Sequence, residues 1–150
     1  MLSVIQRVAS ARVEVAGEVV GAIDRGLMVL VCAQPGDTAE TATRFVHKLL
    51  RLRIFEDEAG KMNRGLQNLD GAGQHGGLLL VSQVTLAADT KSGTRPGFSG
   101  AAAPDMARAW FDDLVAQARA AHPIVATGRF ATEMQVHLIN DGPVTIPMQL

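Results

Sequence analysis

Apolar residues are spaced along the chain in two ways, and the difference lays out much of the architecture before any chemistry is considered. Leu2 to Ala9 alternates with the period of two that buries one face of a strand. Arg12 to Ile23 predicts two short strands around Gly17-Glu18, with glycine at the first turn position of a type II′ hairpin. Within the opening VIQRV, alternation sends Ile5 and Arg7 to one face and Gln6 to the other; taken alone, Arg7 reads as an exposed edge charge. Leu27 to Ala33 is almost wholly apolar, the pattern of a central strand covered on both faces.

Helical spacing follows. Asp37 and Glu40 resemble a capping box, and Ala42, Phe45, Val46 and Leu49 then recur on one face, predicting a helix from about Thr38 to Leu52. Lys48, Arg51 and Arg53 lie near its end, where cations complement the helix dipole. RIFEDEAGKMN reads as a strand entering a turn, and the glycine-rich Gln67 to Gly77 as a loop in which His75 is mobile and exposed. A second helix begins at Pro104, a good first helical residue. Its stripe of Ala107, Trp110, Phe111, Leu114, Val115 and Ala118 makes these aromatics core residues, and Pro123 ends it. Ile124 to Thr127, Met134 to Asn140 and Pro143 to Met148 supply the last strands, with His137 packed in the sheet.

Two stretches carry candidate chemistry. Leu78 to Val81 is a buried strand that delivers Ser82, Gln83 and Thr85 at its C-terminal end, a common place for a site in sheets flanked by helices. By itself the stretch reads more readily as a polar strand end making backbone bonds. The loop after it brings Lys91 and Arg95 near, as local phosphate contacts. The second stretch is LINDGPVT, Leu138 to Thr145, where a strand-like run meets Asn-Asp-Gly-Pro. NDGP by itself favours a hairpin turn, but a cis Gly142-Pro143 bond would hold two adjacent carbonyls outward as a rigid rim.

Composition narrows the options. A 150-residue chain that is 47% hydrophobic suits one domain with a real core. Its formal net charge of −1 excludes a broadly basic nucleic-acid coat and leaves any RNA contact to a local patch. Cys32 is the only cysteine, so an intrachain disulfide framework and a Cys-rich zinc site are both excluded, which suits a reducing interior. With no basic, apolar leader and no apolar run near the ~20 residues of a membrane span, the expectation is a soluble, cytoplasmic protein. Neither zinc-ligand spacing nor a Walker loop, a GxGxxG or a GxSxG elbow is present, so no metal and no nucleotide cofactor is implied. Ser82 or Thr85 as a nucleophile would lack a neighbouring histidine or lysine in sequence to activate it.

The segments RIFEDEAGKMN (53–63), LLLVSQVTLAADTKSGTRPGF (78–98) and MQVHLINDGPVT (134–145), in this order, resemble the D-aminoacyl-tRNA deacylase (D-Tyr-tRNA deacylase) family. The likeness spans essentially the whole chain, and the pair SQxTL and NxGPVT at this separation is highly specific. It implies an α/β fold: a single domain, 1–150, in a three-layer α/β/β arrangement with mixed sheets and two main helices. It also implies a homodimer with active sites at the subunit interface. The reaction implied is hydrolysis of the ester joining a D-amino acid, or glycine mischarged on the alanine tRNA, to the tRNA 3′ ribose, as chiral proofreading in translation quality control.

By this resemblance Ser82, Gln83 and Thr85 line the catalytic pocket for the aminoacyl group and terminal adenosine. Gly142 and Pro143 reach into the partner's site to reject L-aminoacyl groups, Arg7 braces that turn, and Phe98, Met134, Asn140 and Thr145 support the substrate. The partner is the 3′ end of D-aminoacyl-tRNA, with no DNA, membrane, metal or cofactor. Departures from the family pattern are Val84 for Phe in SQFTL, Gly97 for Ser in RPSF, and Ala131-Thr132 for Gly-Ala in GxFGAxM. Two alternatives stand beside this: a tRNA-end or amino-acid binding module without turnover, and a conventional esterase using Ser82 or Thr85.

Overall fold

The computed structural model describes every residue from Met1 to Leu150. Its longest-range organiser is β1 (Leu2–Val15), one continuous strand where the alternation predicted a break after Ala9. The first half of β1 pairs antiparallel with β3 (Gly26–Cys32), and the second half with β2 (Glu18–Ile23). Along its other edge the whole of β1 pairs with β8 (Gln135–Gln149). β6 (Gly77–Ser82) adds parallel to β3, and β7 (Val125–Thr127) parallel to β6, completing a mixed sheet of order β2-β1-β3-β6-β7. β4 (Phe55–Glu56) and β5 (Met62–Arg64) form a small separate hairpin.

Helices α1 (Ala39–Arg51) and α2 (Pro104–Ala121) cover one face of β3 and β6. Phe45, Val46 and Leu49 from α1 and Phe111 and Leu114 from α2 meet Ile5, Val29, Leu78 and Leu80 there. Each large apolar side chain fully buried in that layer stabilises by roughly 1.5–3 kcal/mol. On the opposite face Val8, Val13, Ile23, Met28, Leu79 and Val81 form a second core, because β1 bends and carries β2 back over β6 and β7. The approach is tight: a Cβ on Gly21 would lie 2.3 Å from the Thr127 carbonyl oxygen. Two packed β layers and one helical layer result, the α/β/β order expected.

Several local expectations change. The β1-β2 turn is Ala16-Gly17, with φ of 49° and 81°, since Val15 and Glu18 are already paired; two left-handed residues suit type I′, not II′ around Gly17-Glu18. The α1 cap is Thr38, whose hydroxyl accepts from the Thr41 amide, in place of Asp37 and Glu40. The Asp37 side chain is instead buried against the Met1 ammonium at 2.7 Å. The two strands predicted at 134–140 and 143–148 are one strand, β8, interrupted by a bulge, so NDGP is no hairpin turn. Arg7 is buried, not an exposed edge charge.

Candidate active site

At the end of β6 the chain leaves the sheet through Ser82 and Gln83 into a single 3-10 turn, Val84–Ala87. The Gln83 amide donates to the Val31 carbonyl at 2.8 Å, which fixes the exit to the neighbouring strand. Gln83 Nε2 donates to Thr85 Oγ1 at 2.5 Å, orienting both side chains together. Beside this turn lies a cavity of about 440 Å³ whose polar members include Ser82 and Gln83 and whose walls include Val31, Cys32, Trp110, Phe111, Phe130 and Met134. A largely apolar slot with a few polar groups is the usual construction of a small-molecule or nucleoside site. Trp110 is only half-buried and lines this slot, so the core assignment holds for Phe111 alone. Burial pushes the Cys32 thiol up, which makes it a wall and not a nucleophile. Thr85 Oγ1 meets only Gln83, and Ser82 Oγ meets no base, so neither hydroxyl has a partner to deprotonate it.

The second element is the bulge. Gln6 is paired with Thr145 and Val8 with Asn140, so four residues, Asp141 to Val144, stand opposite Arg7 alone. They are looped out and pinned. Asn140 Oδ1 accepts the Val144 amide at 2.7 Å, and Asn140 Nδ2 donates to Thr145 Oγ1 at 2.9 Å. Arg7 Nε donates to the Asp141 carbonyl at 2.9 Å and its Nη1 to the Ile54 carbonyl at 2.8 Å, tying the loop to the chain just before β4. Val144 is buried beneath, while Asp141, Gly142 and Pro143 are exposed. Gly142-Pro143 is cis, with Gly142 at φ 143°. A Cβ there would sit 2.7 Å from Val144 Cγ2 and 3.2 Å from Arg7 Nη2, so only glycine fits without displacement.

Ser82, Gln83 and Met134 therefore share one cavity, whereas Arg7, Asn140, Gly142, Pro143 and Thr145 form a separate projecting turn. Thr85 reaches the cavity only through Gln83, and Phe98, 41% exposed, is not part of its wall. Lys91 and Arg95 lie exposed on a loop closed by the Asp89-Gly97 bridge, and neither lines the cavity. The cations that do adjoin it, Arg108, Arg119 and Arg129, went unnoticed in the sequence. The spacing of Arg108 and Arg119, eleven residues on one helix, would have placed both on one face. His75 is exposed, with its ring edge-on to the buried His122, whose Nε2 is 2.7 Å from the Gly76 carbonyl.

A mixed α/β domain with an apolar slot and polar strand-end groups defines a class of protein that takes a small, largely apolar ligand at the end of its sheet. The chain matches the D-Tyr-tRNA(Tyr) deacylase family over residues 4–149. It is 63% identical to the D-aminoacyl-tRNA deacylase of Polaromonas sp., covering all of this chain and 97% of that one. With the D-aminoacyl-tRNA deacylase of Acidovorax ebreus the identity is 61%, over all of this chain and 98% of the other. Among solved structures, the c-Myc DNA Unwinding Element Binding Protein superposes with a TM-score of 0.91 at 36% identity, over 100% of this chain and 99% of that one. A probable eukaryotic D-amino acid tRNA deacylase shares the fold, with a TM-score of 0.80 at 19% identity over 98% and 97% of the two chains. The chain belongs to the D-Tyr-tRNA deacylase family and is a hydrolase of the aminoacyl-tRNA ester bond.

Proposed function

We propose that this enzyme works as a homodimer in which Gly142 and Pro143 of one subunit complete the slot of the other and exclude L-aminoacyl groups. The observation that carries this is the separation of the two elements: the turn pinned by Arg7 is exposed and contributes nothing to its own chain's cavity. A pinned, exposed turn that does not line its own chain's cavity suits an isologous contact, in which each copy supplies what the other lacks. Discrimination then comes from denying space to one enantiomer, and glycine, having no side chain, passes with the D-amino acids.

The terminal adenosine occupies the apolar slot, and Ser82, Gln83 and Thr85 hold the ester at its mouth. Water attacks the carbonyl carbon, the bond to the 3′ ribose oxygen breaks, and that oxygen takes a proton to become the free hydroxyl of the tRNA. Because Ser82 and Thr85 lack a base, the side chains orient and hydrogen-bond the ester while the neighbouring ribose 2′ hydroxyl assists. A cytoplasmic setting, where charged tRNA is found, fits this chemistry.

The test mixes two impaired variants. Gln83→Ala impairs the slot and Gly142→Ala the turn. Co-refolded, they form heterodimers with one wild-type site, so D-Tyr-tRNA turnover that spares L-Tyr-tRNA rises in the mixture above the sum of the two variants measured apart. No such rise, or full D-over-L selectivity in a monomer at assay concentration, overturns the cross-subunit filter. A trapped acyl-enzyme on Ser82 or Thr85, with a 2′-deoxyadenosine-ended substrate reacting normally, overturns the substrate-assisted route.

A further inference from the structure

Adjoining the apolar cavity, and sharing Phe111, Phe130 and Thr132 with it, is a second groove of about 530 Å³. Arg108 and Arg119 from α2 and Arg129 from the segment after β7 line it, against a single carboxylate, Asp112. The two helical arginines are three turns apart and so lie on one face. All three are exposed, and none is paired with a carboxylate. Arg108 is instead stacked on Phe130, its guanidinium carbon 4.6 Å from the ring centroid, which holds one cation at the boundary between the two recesses. Three unpaired guanidinium groups facing one acid form a local cationic surface in a chain whose net charge is −1. Guanidinium forks match phosphate oxygens in geometry as well as charge.

We infer that this groove carries the phosphodiester backbone of the single-stranded tRNA end just upstream of the terminal nucleoside. The inference rests on the proposed placement of that nucleoside in the apolar cavity. A chain entering the cavity with its last nucleoside must leave it with its phosphates outside, and the shared wall at Phe111, Phe130 and Thr132 opens onto the arginines. Arg119 and Arg129 are then backbone contacts that grip any tRNA without reading its sequence, and Arg108 is the hinge between nucleoside and phosphate. Lys91 and Arg95, the sequence's own candidates for this role, line neither recess.

The experiment compares two substrates of one chemistry: D-Tyr-tRNA, and D-tyrosyl-adenosine esterified at the 3′ oxygen, which has no upstream phosphate. The double variant Arg119→Gln/Arg129→Gln should raise KM for the tRNA roughly tenfold. It should also flatten the salt dependence of kcat/KM by about 0.7 log units per log unit of salt for each phosphate it no longer neutralises. Its turnover of D-tyrosyl-adenosine should equal wild type. Lys48→Gln, on α1 and lining neither recess, should change neither substrate. Unchanged KM and salt slope for the tRNA would overturn the subsite, as would weaker binding of an acidic protein but not of tRNA. Equal impairment on both substrates would also overturn it, by making the arginines supports of the cavity. Wild-type protein inert toward both would overturn the functional reading itself, and is distinguished by that result alone.

Discussion

Arg7→Met is the sharpest test of how the bulge is held. The side chain is buried, and it donates to two carbonyls in segments far apart in sequence, Asp141 and Ile54. A hydrogen bond from a charged donor contributes about 1.5–3 kcal/mol. The Ile54 bond lies in the interior and retains that value, and its loss leaves a carbonyl without water. Asp141 is exposed, so its carbonyl finds solvent and the loss there is smaller. The ion pairs to Asp141 at 3.8 Å and Glu56 at 4.0 Å add little, because both carboxylates are half-exposed. Together these terms make the substitution cost about 2–4 kcal/mol, or roughly 5–15 °C in Tm for a chain of this size. Urea unfolding measures the stability, and hydrogen exchange at the Val144 amide measures the turn directly. Arg7→Lys, which reaches one carbonyl, should fall between. D-over-L selectivity should decline more steeply than D-Tyr-tRNA turnover, since the turn loosens before the slot does. A variant within about 0.5 kcal/mol of wild type, a value ordinary for surface changes, with intact selectivity would refute the bracing role.

Gly142→Ala puts a Cβ 2.7 Å from Val144 Cγ2 at a left-handed φ, so it should lose selectivity or activity while the melting curve shifts by only a few degrees; normal D-over-L ratios would contradict this. Ala131 has φ 55° where the family pattern carries glycine, and left-handed backbone costs an L residue roughly 1–2 kcal/mol, partly offset by glycine's unfolded-state entropy. Ala131→Gly should therefore stabilise by roughly 0.5–1 kcal/mol in urea melts. Asp37→Asn removes the carboxylate from the buried Met1 ammonium and should cost roughly 3 kcal/mol, with a rise in KM because Met1 also lines the cavity. Burial holds His122 below its ordinary pKa of 6.5, so the unfolded chain takes up a proton the folded one refuses. Stability is then full above about pH 6.5 and falls as pH drops through the folded value, and His122→Gln should flatten that slope in acid titrations followed by circular dichroism.

Elements whose signal is local were legible in the sequence. The apolar runs at Leu27 to Ala33 and Leu78 to Val81 became β3 and β6, and the stripes around Phe45 and Leu114 became the buried faces of α1 and α2, because burial of a repeating face is decided by spacing alone. The motifs SQVTL and NDGPVT fall on the strand end beside the cavity and on the bulge, the two elements proposed to act together. Their separation in space did not show, since that depends on β1 pairing with β8 over its full length.

Tertiary context decided what each polar residue does. Arg7 alternates like any strand residue, and only the four-residue bulge opposite it makes a buried cation useful. Asp37 has the spacing of a cap, but a nearby ammonium is a stronger partner than a backbone amide, so Thr38 caps α1 instead. The same physics separates Trp110 from Phe111: adjacent on α2, both line the slot, but only Phe111 is also buried in the core. Periodicity determined which residues leave water, while the packing of distant segments determined which polar groups remain to meet a ligand, because that pairing is settled by three-dimensional proximity and leaves no trace in local spacing.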